Sequence, residues 1–222
     1  GSMWPNHAGR FAARSAARRA RSKLPRLVPS RTHALRERNV SRLNELTTVL
    51  LDASVSPGDI KLAADALYDL LFAIAPVPEG SFDTPLPSGK ALAPRLAALC
   101  VKDSMRTAVY LRGVEQVLRE RRPRKVLYAG CGPFAPLALP LMPRYPEARF
   151  TFLDTHPQAI DSVRTLTRHF GFTNGELVVG DATQYRGEQA DVVIVEAMQA
   201  ALSREPQVAI FHHLSRIGVT MI

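Results

Sequence analysis

The stretch "KVLYAGCGPFAPLALP", Lys125 to Pro140, decides the fold. Lys125 to Ala129 is a short apolar run of strand type, and Gly130 and Gly132 frame the turn that follows it. A strand feeding a glycine turn at the head of a helix is how many nucleotide sites begin. The pattern is incomplete for a dinucleotide. A pyrophosphate is held by amides from a full G-x-G-x-x-G turn, and position 135 is alanine in a proline-flanked context.

Working outward, the strand form repeats. "ARFTFLD" ends at Asp154, "GELVVGD" ends at Asp181, "DVVIVEA" carries Glu196, and "IGVTMI" at 217–222 reads as a fifth strand. Helical stretches are expected at 135–144, 158–170 and 205–217, with only a turn between the third and fourth strands. Strands alternating with helices predict a parallel sheet, and strands apolar nearly throughout predict burial on both faces. The fifth strand would be an exposed edge, which is an association hazard. Either further strands are missing after it, or a second copy covers it as a homodimer.

The first half reads as helical. Val40, Leu43, Leu46, Val49 and Leu50 recur at helical spacing over 39–53. Ser56 is a plausible N-cap, Pro57 suits the first helical position, and Ile60, Ala64, Leu67, Leu70, Leu71 and Ile74 continue the period. "APVPEGSFDTPLPSG" at 75–89 reads as a loop, from its four prolines and lack of periodicity. Helices are expected again at 91–100 and 103–122, the second with Met105, Val109, Val114, Val117 and Leu118 inward.

The net charge of +9 is localised. Residues 1–36 hold nine basic residues and no acid, and the remaining 20 basic residues are matched by all 20 acids. The arm is a solvated tail, a polyanion contact or a targeting remnant. The neutral remainder makes nucleic acid an unfavoured partner. No apolar run approaches the ~20 residues of a membrane span. Cys100 and Cys131 stand alone without metal-type spacing, which suits a reducing, cytoplasmic compartment and no metal site. The expected organisation is a flexible basic arm over 1–37, a helical lid or cap over 38–122, and an α/β Rossmann-like domain over 123–222.

In an open parallel sheet, ligands bind beyond the carboxyl ends of the strands. Each of the first four strand ends here carries a glycine turn or an acid. Gly130 and Gly132 let backbone approach a ligand. Asp154 suits the two hydroxyls of a ribose, or caps the next helix. Asp181 suits an exocyclic amine with the Ala182 amide beside it, or closes an Asx turn. Glu196 points to the substrate position, next to Met198 and Gln199.

These runs together resemble the class I S-adenosylmethionine-dependent methyltransferases: "VLYAGCGPF", "FTFLDTHPQAI", "VVGDATQY" and "DVVIVEAM", in order. The resemblance covers the chain from about Lys125 to its end. It implies S-adenosyl-L-methionine as cofactor. It also implies that Ala129, Gly130, Cys131 and Gly132 flank the methionine part, that Asp154 holds the ribose beside Thr155 and His156, and that Asp181 and Ala182 meet the adenine. Glu196 is both a cofactor-binding and a catalytic candidate, and Tyr128 is the second catalytic candidate. Tyr128 stands where the family usually has an acid that holds the cofactor's amino-acid end, and its hydroxyl would serve that end or its ring would stack. The usual third glycine falls at Phe134, a pocket wall or a core residue. Upstream helices in such enzymes often form a lid, from which Ser88, Lys90 and Arg106 would reach the cofactor carboxylate, or stay on a solvated face.

Transfer from a sulfonium needs placement of the nucleophile and exclusion of water rather than a nucleophilic triad. Three readings follow: methyl transfer to a small molecule; attack on the other carbon–sulfur bond with release of methylthioadenosine, as in nicotianamine and azetidine-2-carboxylate synthases, where the cofactor itself can be the substrate; and a non-catalytic binding module whose arm contacts RNA.

Overall fold

The computed structural model describes residues 1, 31–79, 82–87, 89–197 and 207–222. Most of the basic arm, Ser88, Met198, Gln199 and the start of the last expected helix lie outside the described residues.

Five parallel strands form the sheet: β3 (Lys125–Ala129), β4 (Arg149–Asp154), β5 (Gly175–Val179), β6 (Ala190–Val195) and β7 (Gly218–Met221). Their order is β5-β4-β3-β6-β7. The chain therefore steps outward from β3 through β4 to β5, then returns to the other side of β3 for β6 and β7. This is the doubly wound, Rossmann-like order, with the switch of direction between β3 and β6. The fifth expected strand is present, paired to β6 through Ala190↔Gly218 and Val192↔Thr220.

Alternation along the strands sorts the side chains onto two faces. Val126 and Tyr128 of β3, Phe150 and Phe152 of β4, and Val192 and Ile194 of β6 enter one core. Leu127, Ala129, Leu153 and Val193 enter the other, beneath Ile210 and Leu214 of α6 (Gln207–Leu214). The first core also contains Leu43, Leu46 and Leu50 of α1 (Arg31–Leu51), Ile60, Leu67 and Leu71 of α2 (Pro57–Ile74), and Leu111, Val114 and Leu118 of α4 (Ser104–Arg121). Ile160, Val163 and Leu166 of α5 (Pro157–Phe170) complete it. The stretch expected as a cap thus supplies the helical layer of one sheet face, and among its described residues those that border the cleft described below lie between 84 and 106.

Local departures from the sequence reading have local causes. α2 begins as expected, with the Ser56 hydroxyl accepting from the Asp59 N–H and Pro57 opening the helix. α1 begins at Arg31, eight residues before the apolar period starts, because its first turns carry charge rather than apolar residues. They dock on α5 through Arg36 donating to the Phe170 carbonyl and Asn39 meeting His169. On α4, Met105 and Val109 are 44% and 57% exposed, against expectation. The buried stripe is Thr107, Ala108, Leu111, Val114 and Leu118, whose small first members let the helix come close. The helix expected at 135–144 is instead a turn followed by a 3-10 helix, Leu139–Arg144. Pro133, Pro136, Pro140 and Pro143 each lack the N–H an α-helix would use. The expected loop at 75–89 contains the first strand of a small antiparallel hairpin, β1 (Thr84–Leu86) with β2 (Gly89–Ala91). α3 (Pro94–Leu99) and a 3-10 turn, Cys100–Lys102, follow it. Among the described residues no helix is long and apolar enough to cross a membrane.

Candidate functional site

A cleft of about 950 Å³, the open water at its mouth included, lies at the carboxyl ends of β3, β4 and β6, where the strand order reverses. Its walls bring together Gly130, Cys131, Gly132, Asp154, Thr155 and His156. Gly180, Asp181, Ala182 and Glu196 border it as well. Tyr128 and Ala129 are fully buried beneath it.

The turn after β3 is built by the strand beside it. The N–H groups of Gly130 and Cys131 both donate to the Leu153 carbonyl, at 2.8 and 3.2 Å. The Gly132 N–H donates to Asp154 Oδ2 at 2.9 Å. Gly130 and Gly132 have φ of 70° and 60°, in the left-handed region. A Cβ on Gly130 would stand 2.3 Å from the Glu196 carbonyl oxygen. Gly130 is therefore required by the chain leaving β6, and the close approach expected there toward a ligand is taken by protein backbone.

Asp154 also accepts from the His156 N–H at 2.9 Å, and its Oδ1 lies 3.3 Å from His156 Nδ1. The other ring nitrogen, Nε2, meets Thr84 Oγ1 at 3.0 Å. His156 thus links Asp154 to the hairpin. Asp181 Oδ1 accepts from both the N–H and the hydroxyl of Thr183, an Asx-type turn at the cleft wall.

Glu196 has two partners. Oε1 accepts from Arg106 Nη2 at 2.8 Å, and Oε2 accepts from the Tyr128 hydroxyl. The hydroxyl of Tyr128 thus turns to Glu196 rather than into the cleft. Burial first, then the Glu196 charge, pushes the Tyr128 phenol well above its ordinary range, so it remains a donor. Burial, then Asp154 and Glu196, pushes the Cys131 thiol up in the same way and keeps it unreactive. Burial alone would lower the Arg106 guanidinium, but the Glu196 charge and hydrogen bond outweigh it and the net shift is upward. Phe134 serves both expected roles: its ring packs edge-on against Tyr68 of α2, and it borders the cleft.

Several lining residues carried no sequence signal. Leu86, Leu92 and Ala97 come from the hairpin, the residues just after it and α3, and the half-buried Cys100 borders the cleft as well. Short proline-rich strands have too few residues to display a period. Lys90, expected to reach a ligand carboxylate, borders the cleft but donates to Asp83 at 2.5 Å. Asp83 also accepts from the Ala93 N–H. These two bonds, the lysine's first, hold the Asp83 carboxyl below its ordinary range. A depressed carboxyl stabilises the fold above its ordinary range and loses that contribution as pH falls through the lowered value. Amide exchange at 89–93, corrected for intrinsic rates, is therefore expected to accelerate below about pH 4 while β3 stays protected. Equal protection of both segments through that range would show that the Asp83 bonds do not hold the hairpin.

No family model matches the chain. An uncharacterized protein of Methanocaldococcus jannaschii is 30% identical over 118 residues, which make up 52% of this chain and 43% of that protein. Among solved structures, coclaurine N-methyltransferase bound to N-methylheliamine and SAH is 15% identical, with 87% of this chain and 56% of that one covered and a TM-score of 0.42. A nicotianamine synthase variant in complex with S-adenosylmethionine is 16% identical, with 83% of this chain and 77% of that one covered and a TM-score of 0.41. This chain spans less than half the length of the Methanocaldococcus relative and about half that of the coclaurine enzyme.

Proposed function

We propose that the chain binds S-adenosylmethionine in the cleft and directs its methyl group to a small molecule. One observation carries the reading. The three amides of the turn, those of Gly130, Cys131 and Gly132, already donate to protein acceptors. A pyrophosphate cofactor needs such amides for itself. A nucleoside cofactor without phosphates does not, and the neighbouring carboxylate of Asp154 suits its ribose.

When bound, the cofactor supplies an electrophilic carbon on a sulfonium. The residues of the cleft bind, orient and exclude water. Asp154, fixed by the Gly132 and His156 N–H groups and met by the His156 ring, keeps a lone pair for a ribose hydroxyl, since a carboxylate has about four acceptor sites. Ala182 and Asp181 lie where the adenine would follow. Phe134 and Leu86 shield the centre from water. Attack on the other carbon–sulfur bond needs an unprotonated cofactor amine, which a tyrosine rather than an acid at residue 128 would by itself allow. Glu196 stands at the Tyr128 hydroxyl, so the cleft does keep a carboxylate there, and this favours methyl transfer.

Calorimetric titration with S-adenosylmethionine and S-adenosylhomocysteine tests the binding. Asp154→Asn is expected to weaken both about 10- to 100-fold, the worth of one charge-assisted hydrogen bond. Mass analysis of reactions with and without amine and phenol acceptors tests the chemistry. S-adenosylhomocysteine with a methylated acceptor is the expected outcome. Methylthioadenosine formed from the cofactor alone would overturn methyl transfer, and no binding at all would overturn the cofactor.

A further inference from the structure

The solvent face of α4 changes character along its length. In its first two turns the exposed residues are Met105, Val109 and Tyr110, and further along they are Gln116, Arg119, Glu120 and Arg121. A face shaped only by water would be polar throughout, as the second half is. α3 repeats the feature, with Leu96 and Leu99 exposed at i, i+3 spacing. Each of these five apolar residues is between 43% and 57% exposed.

The chain brings the two apolar faces together at the cleft. The Thr107 hydroxyl donates to the Cys100 and Val101 carbonyls at 3.2 Å, which fastens the start of α4 to the turn that ends α3. On both helices the neighbours of the exposed apolar residues border the cleft: Ala97 beside Leu96, Cys100 beside Leu99, and Arg106 beside Met105. Arg106 also lies over the Tyr110 ring, 5.4 Å from its centroid. The apolar cleft wall of Leu86, Leu92 and Phe134 therefore continues over the rim into an apolar ridge. The ridge carries no excess of charge. Arg95 pairs with Glu79 at 2.7 Å, Arg106 pairs with Glu196 at 2.8 Å, and Lys102 is followed by Asp103. A polyanion or an anionic lipid surface finds no field to follow here. An apolar ridge continuous with an apolar cleft suits a ligand that enters one and lies along the other.

We propose that the methyl acceptor carries an extended apolar tail, which leaves the cleft past Cys100 and Arg106 and lies along the ridge. This rests on the methyl-transfer reading above and names the class of its acceptor. The reacting end occupies the cleft. Leu99, Met105 and Val109 cover one side of the tail, and the stem of Arg106 with the Tyr110 ring forms the step between cleft and ridge. Full burial of one methylene is worth about fourfold in affinity, so a ridge that covers one side is worth about twofold for each.

Calorimetric titration of the full chain with 4-ethylphenol, 4-butylphenol and 4-hexylphenol, each with saturating S-adenosylhomocysteine, reads the tail alone, because the phenol end is constant. Affinity is expected to rise about fourfold at each step of the series, or about 16-fold across it. Leu99→Asp combined with Val109→Asp should cut that rise to less than about threefold. The double variant should keep its affinity for 4-ethylphenol and for S-adenosylhomocysteine within about twofold, which also verifies that it is folded. Leu35→Asp is the control. Leu35 is 47% exposed on α1, whose first turns dock at the end of α5 away from the cleft, and its variant should leave the series unchanged. Equal affinities across the series, or a rise that stays steep in the double variant, would overturn the acceptor tail and leave the cofactor reading standing. Concentration-dependent sedimentation of the wild type that the double variant loses would also overturn it, by giving the ridge to a second copy. Absence of S-adenosylhomocysteine binding to the wild type would overturn the cofactor reading and the tail with it.

Discussion

Replacing Gly130 by alanine is expected to destabilise the protein by about 3–5 kcal/mol and to abolish ligand binding. Two costs combine. A left-handed φ of 70° disfavours any side chain, by about 1–2 kcal/mol. The new methyl would also sit 2.3 Å from the Glu196 carbonyl oxygen and 3.2 Å from its carbon. That backbone cannot simply yield, because the Glu196 N–H is bound to Ala129 on the adjoining strand. Relief would require β6 to move away from β3 at the centre of the sheet. Gly132→Ala is the natural control. Its φ is 60°, yet its Cβ would lie 3.5 Å from the Ala97 Cβ, an ordinary contact. It should cost about 1–2 kcal/mol, from the backbone conformation alone. Urea unfolding of the two variants measures the difference. A loss below about 1 kcal/mol for Gly130→Ala would mean that the packing of Glu196 on Gly130 is not tight.

Leu111→Ala should cost about 2–5 kcal/mol, the range for a large core side chain removed without collapse. Leu111 is 0% exposed and sits on α4 in the same core as Tyr128, Phe150 and Phe152. The more informative result is where the loss appears. If the N-terminal helices are one layer of the sheet's core, native-state amide exchange should accelerate in β3 and β4 together with α2 and α4. A lid that folds separately would lose protection in the helices alone. That second pattern would contradict the shared core.

The sheet was legible because its signals are local. Five apolar runs at 125–129, 149–154, 175–179, 190–195 and 218–221 each carry strand character in their own residues. The acids at their ends fall at the carboxyl edge of any parallel sheet, so Asp154, Asp181 and Glu196 gather there whatever the packing details. The helical stop after Gly132 was legible only in part. Four prolines announce a broken helix, but the space for a helix could be judged only once α2 and its Tyr68 were seen against Phe134.

What remained closed to the sequence involves partners far apart along the chain. Tyr128 meets Glu196 across 68 positions, and Arg106 meets it across 90. No period links such residues, and the same tyrosine read alone pointed at a ligand. Thr84 reaches His156 across 72 positions from a strand of three residues, too short to announce itself. By itself the sequence determined the strand order's raw material, the glycine turn and the acids at the sheet's edge, because backbone periodicity and turn chemistry act over a few residues. The tertiary structure alone decided which face of α4 is buried, why Gly130 must be glycine and where Tyr128 directs its proton, because those depend on which surfaces the packed helices and neighbouring strands bring into contact.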